Sequence, residues 1–261
     1  MPLWWLHVLG YLLGKSAWYL VKRKRERVIA LMRSLGIDNP EAQFRRYLVV
    51  ISRVVLDYPW WWLNRDSVVS RHVSVESGQE ILDGLGRNPT LFVGGHLSSP
   101  EPLVRCIGRH APLCYIYQNS KSRIASFILS LRHQPPRFTA LPSSDPGSIR
   151  FLLDTLKNNG AALMYTDMRP PRGSGDWLDF FGRKSYTMTL AARLSLRPRV
   201  RVIFFECYQG FNRYRVRLTD ITEQLPADLL PRAQAINDHI ERVARTSPDQ
   251  YLWFTNRFRA P

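Results

Sequence analysis

From position 90 onward, short apolar runs alternate with segments of helical period, and this limits the fold more than any other feature. The strand-like runs are 91–94, 113–117, 161–166, 200–205 and 214–218. Between them Ile124, Phe127, Ile128 and Leu131 fall at i, i+3, i+4 and i+7, which is one face of a helix. Ile149, Leu152, Leu153 and Leu156 share one face in the same way, in a helix that opens at Asp145-Pro146 and stops near Gly160. Segments 190–196 and 233–243 complete the helical set. Such alternation predicts an α/β fold: a mixed, largely parallel sheet flanked by helices. A chain of 261 residues can bury one large core, and no interdomain linker or internal repeat interrupts it. Residues 28–261 are therefore expected to form a single domain, preceded by a distinct segment 1–27.

One strand-to-helix junction carries chemistry. Segment 90–101, TLFVGGHLSSPE, reads as a buried strand, two glycines, His96, and a helix start at which Ser98 or Ser99 caps and Pro100 suits the first position. Glu101 follows five positions after His96, a spacing that none of the other five histidines has to an acid. A histidine on a rigid sheet edge beside a carboxylate suits general-base catalysis, with His96 as the base and Glu101 as the group that orients it. A bare H-x4-E arises readily by chance, so the strand-Gly-Gly-His context is what gives it weight. No Ser or Cys stands in a nucleophile-elbow pattern, so no covalent intermediate on such a residue is required.

Segment 2–21 is apolar and aromatic, with Trp4, Trp5, Tyr11, Trp18 and Tyr19, and the run Lys22-Arg23-Lys24-Arg25-Glu26-Arg27 follows directly. About 20 apolar residues just reach across a bilayer, but His7 and Lys15 interrupt a clean span. Abundant Trp and Tyr suit the headgroup level, so the expectation is a membrane-associated helix with the basic run against anionic lipid. Gly10-x3-Gly14 could mark a close helix contact. In Pro59-Trp60-Trp61-Trp62-Leu63, three adjacent tryptophans are not expected to face one core, so some should meet lipid or a hydrophobic substrate channel.

With 37 Lys+Arg against 21 Asp+Glu, the formal net charge is +16, which favours anionic partners. Nucleic acid is disfavoured: no binding motif appears, and the aromatics cluster with aliphatics instead of interleaving with Arg. Cys106, Cys114 and Cys207 are unevenly spaced, form no metal-ligand pattern, and read as reduced, buried thiols.

Four segments together resemble the late acyltransferases of lipid A biosynthesis, a branch of the lysophospholipid acyltransferase group. These are Gly95-His96-x4-Glu101; the helix–loop–helix of 121–159 with Arg132; strand 160–167 ending in Asp167, followed by Asp179-Phe180-Phe181-Gly182; and the tail 248–253 with Asn256-Arg257-Phe258-Arg259. Where that family has Gln after the strand-end Asp, this chain has Met168, and the basic-plus-Asn feature is blurred into Gln118-Asn119-Ser120-Lys121. The resemblance implies a glycerolipid acyltransferase-like fold and a location on the cytoplasmic face of a bacterial inner membrane. It also implies an acyl carrier protein thioester as donor, a glycolipid acceptor, and no cofactor or metal. An aminolipid or polyene-lipid acceptor, or a hydrolase using the same dyad, stays open. Arg132, or the backbone amides of Gly94 and Gly95, are the candidates for holding the oxyanion. Asp167 is either an orienting or a substrate-binding carboxylate, and Arg257 either pairs with a substrate phosphate or fixes the C-terminal segment.

Overall fold

A computed structural model describes residues 1–117, 138–142, 145, 147–255 and 257–258. Arg132, the predicted helix through Ile124 and Leu131, the segment from Gln118 to Lys121, Asn256 and Arg259 lie outside the described residues.

The described strands are β1 (Val73–Ser77), β2 (Thr90–Gly94), β3 (Leu113–Tyr117), β4 (Phe138–Pro142), β5 (Ala161–Tyr165), β6 (Gly175–Phe180), β7 (Arg183–Met188), β8 (Arg201–Gly210) and β9 (Arg213–Asp220). Seven of them form one sheet in the order β1-β9-β8-β2-β5-β3-β4, while β6 and β7 pair as a separate antiparallel hairpin. Within the large sheet only β8 and β9 run antiparallel, joined by a tight turn at Phe211-Asn212. The mixed, largely parallel sheet expected from the alternation is therefore present. β1 and β4 lie at the sheet edges and expose part of their length, which weakens the apolar signal by which strands are read from sequence.

The helices are α1 (Leu3–Leu20), α2 (Lys22–Ser34), α3 (Pro40–Leu63), α4 (Asp66–Val69), α5 (Gln79–Asp83), α6 (Glu101–His110), α7 (Gly147–Lys157), α8 (Leu190–Ser195) and α9 (Leu229–Thr246). All five residues of β2 are buried, and its pleat sends alternate side chains to two cores. Leu91 and Val93 pack in the cluster that holds Ile236, Ile240 and Val243 of α9. Phe92 packs in the cluster that holds Val104 and Ile107 of α6.

The three tryptophans also belong to that second core, which corrects the expectation of exposure: Trp60, Trp61 and Trp62 are all buried. Helix α3 continues through Pro59, so successive indoles fan out about 100° apart and meet different neighbours. Trp60 meets His72 edge-on, Trp61 meets Tyr214, and Trp62 packs on Tyr58.

Helix α1 lies along α3. Gly10 and Gly14 allow the approach: a Cβ on Gly14 would stand 2.5 Å from Val49 Cα, and one on Gly10 would stand 2.7 Å from Arg53 Cγ. His7 faces inward and is fully buried. The backbone N–H of Asn212 donates to its Nδ1 (2.9 Å), so Nε2 carries the proton and donates to Asp57 Oδ2 (2.8 Å), which also accepts from the Tyr214 hydroxyl (2.6 Å). His7 thus ties α1 to α3 and to the β8–β9 turn. The opposite face of α1 exposes Trp4, Trp5, Leu9, Leu12 and Leu13. Among the described residues no helix is long and apolar enough to cross a membrane.

Candidate active site

The site follows from the register of two neighbouring strands. β2 and β5 run parallel with Gly94 opposite Tyr165, and Thr166 N–H donates to the Gly94 carbonyl (3.1 Å) just beyond the strand ends. His96 lies two residues past Gly94 and Asp167 two residues past Tyr165, so the two emerge side by side at the carboxyl edge of the sheet.

Asp167 grips His96 with both oxygens. Its Oδ2 accepts from the His96 backbone N–H (2.8 Å), and its Oδ1 meets Nδ1 at 2.6 Å. Asp167 is almost wholly buried, while the His96 side chain keeps 27% of its surface exposed. Burial alone would push the Asp167 carboxyl up. The charge of His96, its hydrogen bonds and the Arg257 guanidinium outweigh that and hold it below the usual carboxylate value. An ionised Asp167 can only accept, so Nδ1 is the nitrogen that holds a proton against it, and in the neutral form of the ring Nε2 keeps its lone pair. The imidazole plane is fixed by stacking on Tyr165, with ring centroids 4.0 Å apart. Tyr165 is itself wedged edge-on against Tyr115 and Phe205, and burial pushes its hydroxyl well above the ordinary value.

The glycines before His96 serve close packing. A Cβ on Gly94 would stand 2.8 Å from the Phe205 carbonyl oxygen. One on Gly95 would stand 2.8 Å from Ile240 Cγ2 and 3.4 Å from Asp167 Oδ2. The His96 loop is clamped by the chain's C-terminal segment: Leu252 N–H donates to the His96 carbonyl (3.0 Å) and Ser98 N–H to that of Gln250 (2.9 Å). Ser98 takes a positive φ of 47°, and its hydroxyl donates to the Cys207 carbonyl (2.7 Å). Sequence reading singled out the segment containing Gln250, Tyr251 and Leu252 without a role; the clamp supplies one.

Glu101 is the first residue of α6 and is buried, its N–H donating to Ser99 Oγ (3.3 Å). Glu101 was expected to orient His96; the carboxylate found on His96 Nδ1 is that of Asp167. Strand register decides this: β5 delivers Asp167 to the ring from the neighbouring strand. Arg257 is also buried, held by Asn237 Oδ1 (2.8 Å) and lying over the Phe180 ring at 3.8 Å. The walls of the two hollows described below do not include it.

His96 borders two hollows. The larger, of about 490 Å³, lies between α3, β3 and the loop after β5, with Trp62, Glu101, Tyr117, Ser148, Met168 and Ser174 on its walls. The smaller, of about 150 Å³, runs along one face of α3, where Tyr47, Val50, Ile51, Val54 and Tyr58 line it with Leu252 opposite. Tyr58, Pro100, Tyr115 and Tyr165 border both. Trp62 thus lines a hollow that His96 also borders. Among the described residues no group of three or more His, Cys, Asp or Glu side chains is placed to hold a metal ion.

Comparison with known proteins adds two findings. Residues 38–260 match the family described as bacterial lipid A biosynthesis acyltransferase. The chain is also 23% identical over 267 residues to the lipid A biosynthesis palmitoleoyltransferase of Escherichia coli (strain K12) and, to the same extent, to a lipid A biosynthesis acyltransferase of Shigella flexneri; each match covers 96% of this chain and 84% of the relative.

Proposed function

Because this chain belongs to the bacterial lipid A biosynthesis acyltransferase family and is an acyltransferase, we propose that it moves a fatty acyl chain from an acyl carrier protein thioester to a hydroxyl of a lipid A precursor or related glycolipid. The observation that carries the reading is the His96–Asp167 pair, with its free imidazole nitrogen at the junction of two hollows.

Nε2 of neutral His96 takes the proton of the acceptor hydroxyl as its oxygen attacks the thioester carbonyl. Asp167 keeps Nδ1 protonated and stabilises the imidazolium that forms. The tetrahedral intermediate collapses by breaking the C–S bond, and the departing sulfur recovers the proton from His96. The products are an ester and the free carrier thiol. Backbone amides near Gly94 and Gly95, and Arg132, remain the candidates for holding the oxyanion. Glu101, on the wall of the larger hollow, is placed to accept hydrogen bonds from acceptor hydroxyls. Met168 on the same wall puts an apolar group where the family has an amide, and so bears on which acceptor fits.

The exposed aromatic and aliphatic face of α1, with the basic α2 beside it, supports seating on an anionic membrane surface with α1 lying in its plane. The net charge of +16 supports docking of an acidic carrier protein. Lipid mass spectrometry of a host expressing the wild type or His96→Ala tests the reading. A lipid heavier by one acyl group, present only with the wild type, is expected. Release of free fatty acid with no acylated lipid would establish the hydrolase instead.

A further inference from the structure

The amino edge of the sheet, opposite the edge that carries His96, holds a hollow of about 610 Å³. β2 and β8 run parallel with Thr90 opposite Arg201, and the hollow lies where both strands begin, against the turn from α8 into β8 and the first turn of α9. The five residues of β2 separate it from the catalytic edge by roughly 16 Å. Its walls hold four arginines, Arg197, Arg199, Arg201 and Arg232, against a single carboxylate, that of Glu223. Arg201 is neutralised by Asp220 Oδ2, which accepts from its Nε (3.2 Å) and Nη2 (2.8 Å). Arg232 is held differently. Its Nε donates to the Pro226 carbonyl (2.7 Å), Nη1 to the Ser195 carbonyl (2.9 Å) and hydroxyl (3.1 Å), and Nη2 to the Leu225 carbonyl (3.5 Å). All these acceptors are neutral, so they fix the guanidinium in place and leave its charge without a counter-ion. Arg197 and Arg199 are exposed, and among the described residues their side chains make no hydrogen bond and no ion pair.

We propose that this hollow is a phosphate-binding site separate from the site of acyl transfer, taking a phosphate group that is either free or part of a lipid headgroup. Three guanidiniums without counter-ions share the hollow with one carboxylate, so their mutual repulsion is relieved by a ligand carrying more than one negative charge. A phosphate monoester carries about −1.5 to −2 at neutral pH and offers three acceptor oxygens. Two N–H groups of a guanidinium match two of those oxygens, so phosphate suits arginine better than a single carboxylate does. Arg232 is already immobilised by its four acceptors, so binding costs little further ordering of that side chain. Arg197 and Arg199 are free to close on the ligand from the turn before β8. The hollow is larger than the one of about 490 Å³ beside His96, which leaves room for an alcohol or sugar attached to the phosphate. None of the groups assigned to acyl transfer lines it, so the inference stands apart from that reading.

The test is calorimetric titration of the full-length protein with inorganic phosphate at low ionic strength. Saturable binding of one phosphate is expected, weakening as salt is added. Arg197→Gln with Arg199→Gln should weaken it at least about tenfold, as should Arg232→Gln, whereas Glu223→Gln should tighten it. Should Arg232→Gln not fold, the double variant still decides, because both of its side chains are exposed. Arg71→Gln with Arg213→Gln removes the same net charge from exposed positions off the walls and should leave binding unchanged. The source of the phosphate is read by pelleting with phosphatidylcholine vesicles, with and without phosphatidic acid, in a background carrying Trp4→Ser, Trp5→Ser and Leu12→Ser so that α1 does not contribute. Pelleting that depends on phosphatidic acid and is lost with Arg197→Gln and Arg199→Gln assigns a lipid headgroup; phosphate binding without such pelleting assigns a soluble phosphoester. Absence of both overturns the proposal, as does equal weakening by the Arg71 and Arg213 pair, which would mark a response to net charge alone. His96→Ala should bind phosphate like the wild type, so failure of the acyl-transfer reading leaves this test intact.

Discussion

Replacing Asp167 by Asn changes almost no volume and reverses one hydrogen bond. In the wild type both oxygens accept, one from the His96 backbone N–H at 2.8 Å and one from Nδ1–H at 2.6 Å. An amide has one acceptor and one donor end. The backbone N–H can only donate, so the amide oxygen must serve it, and the NH₂ then faces Nδ1. His96 is forced into the tautomer protonated at Nε2, and the nitrogen left for the substrate cannot take a proton. The same reversal lowers kcat of a serine protease by about 10⁴-fold. A loss of about 10³ to 10⁴ is expected here, or about 4 to 5.5 kcal/mol of transition-state stabilisation. The assay is transfer from acyl carrier protein thioester to a lipid A precursor, followed by mass spectrometry, with KM unchanged and the fold intact by circular dichroism. Stability provides a second reading. The Asp167 carboxyl sits lower in the folded chain than in the unfolded one, so its contribution is complete above the unfolded value of about 3.9 and is lost as pH falls through the folded value. The stability gap between wild type and Asp167→Asn should therefore close below about pH 4. If Asp167→Asn keeps kcat within about threefold while Glu101→Gln loses about 10³, the orienting carboxylate has been misassigned.

Gly95→Ala should lower kcat at least about tenfold, because the new Cβ must displace Ile240 or Asp167 from a site that depends on fixed geometry; wild-type kcat would refute this. His7→Ala leaves buried Asp57 with the Tyr214 hydroxyl as its remaining hydrogen-bond donor among those described, and should cost about 2 to 4 kcal/mol in denaturant unfolding. Exchanging Trp4, Trp5 and Leu12 for Ser should release the protein from vesicles containing anionic lipid while leaving its thermal unfolding unchanged, since all three side chains are exposed. Undiminished vesicle binding would remove α1 from the membrane contact.

The sequence by itself determined the sheet class, the position of His96 and the character of α1. These are local properties: apolar runs of strand length, Gly-Gly before a histidine at a helix start, and small residues at Gly10 and Gly14 are all visible within a few positions. Tertiary structure decided the partners. Asp167 is 71 residues from His96 along the chain and reaches it only because β5 inserts between β2 and β3 with Gly94 opposite Tyr165. Glu101 was the nearest acid in sequence, and sequence spacing cannot weigh it against an acid delivered by a neighbouring strand. The burial of Trp60, Trp61 and Trp62 follows from a helix that continues through Pro59, with separate walls waiting for each indole. Arg257 likewise shows its charge in the sequence, but only packing fixes its place among Asn237, Thr187 and Phe180.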